Sequence, residues 1–142
     1  MEYYFDSEEF KASSLYKTFI NVNNGKGILK VEASTAQDAY PLENVEVIIS
    51  KMINGNKVIF YQGFTNDSGI IDGIVLPTRE MKKDVNDVSD IIFTTYDLLA
   101  KYPKYNIEKI YDVSIFDDIK VIQPVTFPVT ELIEGDRDEQ QG

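Results

Sequence analysis

Neither cysteine nor histidine occurs anywhere in this chain of 142 residues. Without cysteine there are no disulfides, no thiolate metal sites and no thiol nucleophile; without histidine the commonest general base and metal ligand is missing. Most familiar catalytic designs fall with those two residue types. The composition therefore leads us to expect no enzyme, no catalytic residues, no metal site and no cofactor. Also missing is a basic segment followed by an apolar run at Met1-Glu2-Tyr3-Tyr4-Phe5-Asp6, and no stretch approaches the roughly 18 apolar residues of a membrane span. A soluble chain without a signal peptide, synthesised in the cytoplasm, is the expectation. A cysteine-free composition fits a reducing compartment and a Gram-positive exterior alike. Basic residues are scarce as well, 14 against 24 acidic, giving a formal charge of -10. That field repels phosphate backbones and anionic lipid, which argues against nucleic acid or membrane insertion.

What is present suits one domain: 43% hydrophobic and 12% aromatic residues can fill a sizeable core. Leu29, Val31 and Ala33 alternate with Lys30 and Glu32, the period of two of a half-buried strand. Val45 to Ile49 and Lys57 to Tyr61 flank Asn54-Gly55, a strong hairpin signal. Thr65 to Gly69 has turn composition and leads into Ile70 to Leu76, closed by Pro77. Tyr96, Leu98, Ala100 and Tyr102 share one parity, as do Val121, Gln123, Val125 and Phe127, with a further run from Ile107 to Phe116. About seven short strands with turns between them predict an all-β, antiparallel sandwich.

Three segments break this rhythm. Residues 2 to 17 hold Tyr3, Tyr4, Phe5, Phe10 and Tyr16, with Asp6 and Glu9 at capping-box spacing, and read as a short helix or an arm. These rings either cover an open end of the sandwich or dock into a neighbouring subunit. Thr78 to Asp90 is long for a connection between strands, and Val85 and Val88 within it stand one helical turn apart. The acidic run 131 to 142 lacks core formers after Ile133 and reads as a disordered tail. The expected division is an aromatic arm over 1–26, a sandwich over 27–130 and a tail over 131–142. Tyr3, Tyr4, Phe5, Phe10, Val85 and Val88 are the expected partner contacts.

The order Gly27-x-Leu29-x-Val31, Pro41-Leu42-x-Asn44-Val45-x-Val47, Thr65-x-Asp67-x-Gly69, Tyr96-Asp97-Leu98-x-Ala100-x-Tyr102 and Val113-x-Ile115 resembles the carboxypeptidase regulatory-like family over about residues 27 to 129. The resemblance implies a transthyretin-like (prealbumin-like) sandwich. From Tyr96 to Val125 the chain is also similar to sandwich domains of Firmicute envelope proteins, including spore cortex-lytic and peptidoglycan-binding-repeat proteins. In those proteins the domain accompanies the catalytic or wall-binding parts. Here Pro103-Lys104-Tyr105 replaces their Gly-Tyr, and Thr78 to Asp90 replaces their Pro-rich run.

Chemistry-bearing clusters are few. Asp67, Asp72, Asp97, Asp112, Asp117 and Asp118 invite a search for a carboxylate pair, but Asp67, Asp117 and Asp118 sit where turns need Asp. Asn66-Asp67-Ser68-Gly69 with Asp72 superficially matches a calcium loop without its alternating ligands or terminal Glu. Asn23-Asn24-Gly25-Lys26-Gly27 lacks the rest of a phosphate loop. Tyr61, Tyr102, Tyr105 and Tyr111 are candidates for stacking on sugars. The expected function is a non-catalytic structural or adaptor module of an envelope, spore or phage-derived assembly, binding a protein partner or its own copies. The alternative is a monomeric peptidoglycan- or carbohydrate-binding accessory domain of a separate lytic enzyme.

Overall fold

The computed structural model describes residues 2–37, 39–81 and 92–128. Eight strands and two short α-helices follow one another as β1 (Glu2–Tyr4), α1 (Glu8–Lys11), α2 (Ser14–Val22), β2 (Gly25–Thr35), β3 (Glu46–Ile53), β4 (Asn56–Phe64), β5 (Ile70–Thr78), β6 (Thr94–Tyr102), β7 (Ile107–Ile115) and β8 (Lys120–Phe127). They form two sheets, ordered β1-β4-β3-β6-β7 and β5-β2-β8. The pairs β2–β5, β3–β4, β3–β6 and β6–β7 are antiparallel, while β1 joins β4 and β8 joins β2 in parallel.

The alternation read from sequence decides which side chains lie between the sheets. Leu29 and Val31 of β2, Val47 and Ile49 of β3, Leu98 and Ala100 of β6, and Val125 and Phe127 of β8 are fully or almost fully buried in one core. Hydrophobic burial at these positions is the main force holding the sheets face to face. Asn54 and Gly55, both at positive φ, turn β3 into β4 as expected of that dipeptide. At the β4–β5 turn, Asn66 Oδ1 accepts hydrogen bonds from the backbone of Ser68 and Ile70, at 2.9 and 3.0 Å. Gly27 differs from its reading as a permissive start to a strand. It lies within β2, and a Cβ there would stand 2.5 Å from both Ile115 Cγ2 and Phe116 O, so close packing demands glycine.

The N-terminal segment is an integral part of the sandwich. Ser7, rather than Asp6, caps α1 by accepting a bond from Phe10 N at 3.2 Å. Ser13 caps α2, which runs on to Val22, and β2 already starts at Gly25. Tyr3, Phe5, Phe10, Tyr16 and Phe19 form a chain of ring contacts with centroids 5.5 to 6.2 Å apart. Phe10 is 0% exposed, and Phe5 packs against the main core. Within this chain Phe10 is wholly enclosed, whereas half-buried Phe5 keeps part of its ring at the surface. Tyr3 is half-buried, and Tyr4, 51% exposed, stays open to solvent. Val85, Val88 and the run 131–142 lie outside the described residues.

Candidate functional site

The carboxylates weighed for catalysis or calcium are dispersed. Asp67 sits in the turn that Asn66 already organises. Asp117 is a clamp: its carboxylate accepts from Lys26 N at 3.2 Å and from Met81 N at 3.0 Å. Asp118 occupies a left-handed turn position, φ 60°. Asp72 pairs with Lys120 Nζ at 2.9 Å, and the hydrogen bond from that lysine holds its carboxyl below the ordinary range. Asp97 and Asp112 oppose each other across β6 and β7, at exposed positions. Among the described residues no three His, Cys, Asp or Glu side chains converge as a metal site. Nor do the tyrosines form a sugar platform: Tyr61, Tyr102, Tyr105 and Tyr111 pack against the core, and the Tyr111 hydroxyl accepts from Thr126 N at 3.1 Å.

Two other surfaces have the makings of a site. The first is the outer face of β5-β2-β8. Ile28 stands beside Val75, and Ile122 lies one pleat further along, next to Lys30. They are 39%, 56% and 52% exposed respectively. The charges around them are balanced, with Lys120 on Asp72 and Lys30 on Glu32 at 3.2 Å.

The second is a cavity of about 380 Å³ at one end of the sandwich. Leu15, Thr18, Phe19 and Val22, at the i, i+3, i+4, i+7 positions of α2, form one wall. The tip of the β3–β4 hairpin, Lys51 to Asn54, forms another, and Arg79 and Phe93 to Thr95 complete it. At its base Thr94 Oγ1 donates to Asn23 Oδ1 at 2.6 Å, and Asn23 Nδ2 donates to Phe19 O at 3.0 Å. Lys51 Nζ donates to Thr95 O at 2.7 Å and lies 5.7 Å from the centre of the Tyr96 ring. Burial pulls the Lys51 pKa down; Asp97 opposes that shift and Arg79 reinforces it.

Sequence reasoning missed both cations. Lys51 carried a usable signal, since it continues the inward parity of Val47 and Ile49, where a charge is out of place. Arg79 carried none, because only the tertiary fold brings the end of β5 to the β3–β4 hairpin.

No helix among the described residues is long and apolar enough to cross a membrane. No family model and no curated protein matches the chain. One similar solved structure is that of Klebsiella pneumoniae 5-hydroxyisourate hydrolase, at 15% identity and a TM-score of 0.41, covering 71% of this chain and 92% of that one. That protein is an enzyme, so the expectation that the present chain is not one is corrected: its fold gives no ground for excluding catalysis. Eight strands in two sheets make the described residues a two-layer β-sandwich, as expected from the sequence.

Proposed function

We propose that the chain is a structural interaction module that assembles with a second copy of itself through the outer face of β5-β2-β8. The observation that carries this reading is the exposed group Ile28, Val75 and Ile122 on a charge-balanced face of a chain whose net charge is -10. Self-repulsion opposes contact between copies elsewhere, whereas here apolar area meets without that cost. An apolar centre with a polar rim is the anatomy of a protein contact surface. The tyrosines that a wall-binding role would use are half-buried and packed against the core, which favours the interaction reading.

Light scattering over a concentration series tests the proposal on the full chain and on Ile122→Lys. A mass rising toward the dimer for the unaltered chain, and a monomer for the variant at unchanged thermal stability, is expected. A monomer at every concentration, or equal masses for both, overturns it.

A further inference from the structure

Lys51 and Arg79 line one cavity, and neither forms an ion pair among the described residues. Asp97 favours the charged form of Lys51 without an ion pair to it, while burial and Arg79 oppose that form, so two cations share one cavity without a direct ion pair among the described residues. The Lys51 ammonium has three donors and directs one to Thr95 O. Arg79 is exposed, and its backbone N–H, not its guanidinium, makes the bond to Thr94 Oγ1. The neutral polar groups at the base, Asn23 and Thr94, already satisfy each other. Charge recognition therefore falls to the two cations alone.

The remaining lining is mixed, with Thr18, Asn54 and Thr95 polar and an apolar side formed by Leu15, Phe19, Val22, Met52, Ile53 and Phe93. Val22, Met52 and Phe93 rim the cavity while 48%, 57% and 43% exposed, and buried Phe19 stands behind them. A volume of about 380 Å³ falls within the usual range for small-molecule pockets. An inorganic anion would leave this apolar wall unused. A multiply charged ligand would meet the repulsion of the whole chain.

We propose that this cavity binds a small organic monocarboxylate, its carboxylate held between Lys51 and Arg79 and its compact apolar body against Phe19, Val22, Met52 and Phe93. Arginine's planar fork suits a carboxylate, and the lysine adds a point charge from the hairpin side. Such a ligand would also link α2 to the β3–β4 hairpin and to the end of β5, all of which line the cavity.

The test is an NMR titration of the full chain with phenylacetate, with phenylacetamide and inorganic phosphate as controls. Saturable shifts at Phe19, Val22, Met52 and Thr94 are expected with phenylacetate, and binding about tenfold weaker or worse with the amide, with phosphate, and in Arg79→Gln and Lys51→Met. Thermal melts of both variants establish that they are folded. No saturation by phenylacetate, equal binding of phosphate, or undiminished binding by folded Arg79→Gln overturns the proposal.

Discussion

The ring of Phe5 lies stacked on that of Phe60, with centroids 4.5 Å apart and 23° between their planes. Phe60 in turn meets Tyr96 edge-on at 4.9 Å, so one file of aromatics runs from the N-terminal segment into the main core. Such pairs add to the area they bury.

Removing these rings should therefore unfold the protein more readily, rather than only release a partner. Phe10→Ala is expected to cost about 3–5 kcal/mol, the usual range for a fully buried phenylalanine, and Phe5→Ala about 3 kcal/mol or less. Urea denaturation measures both. Midpoints unchanged from the parent chain would show that the segment contributes nothing to the core.

Two glycines at positive φ give contrasting predictions. Gly69, φ 75°, has Ala33 O at 2.4 Å from where a Cβ would stand; Gly55, φ 79°, has nothing within 4 Å. Gly55→Ala should cost about 1–2 kcal/mol from the left-handed backbone alone. Gly69→Ala adds a backbone collision, so its loss should be clearly the larger. Equal midpoints in urea would contradict the close packing of Gly69 on β2.

Alkaline pH should act in opposite directions on two groups. Burial raises the Tyr96 phenol far above its ordinary value of 10.0. The folded chain keeps a proton that the unfolded chain releases above pH 10, so this stability is present below pH 10 and lost as pH rises further. Lys51 is lowered from 10.5, chiefly by burial. Its charge burdens the folded state below the folded pKa, and that burden fades as pH climbs toward 10.5. Urea midpoints from pH 8 to 11 should show Tyr96→Phe weaker than the parent at pH 8, by about 1–3 kcal/mol for the lost bond to Pro77 O, yet less sensitive to alkali. Any advantage of Lys51→Met over the parent should shrink across the same range. A pH profile of Tyr96→Phe parallel to the parent's would refute the assignment.

Much of the fold was legible because it rests on local rules. The parities of Leu29, Tyr96 and Val125 survive folding intact, and Asn54-Gly55 and Asn66 to Gly69 turn by their own chemistry. The N-terminal segment was harder. β1 has only three residues and exists through its pairing with distant β4, which no local pattern encodes. The i, i+3, i+4, i+7 spacing of Leu15, Thr18, Phe19 and Val22 was available, but the density of aromatics before it drew attention to an arm instead. The cavity was partly legible: Lys51 on an inward parity is a visible anomaly, whereas its meeting with Arg79 depends on how β5 ends.

The position of β2 bears on how the chain is made. It lies between β5 and β8, and its parallel neighbour β8 is the last strand among the described residues. During synthesis Leu29 and Val31 wait, with no neighbouring strand and then with one, until Phe127 has left the ribosome. Closing so long a loop is slow. This apolar stretch therefore lacks its second neighbouring strand until the synthesis of β8 is complete.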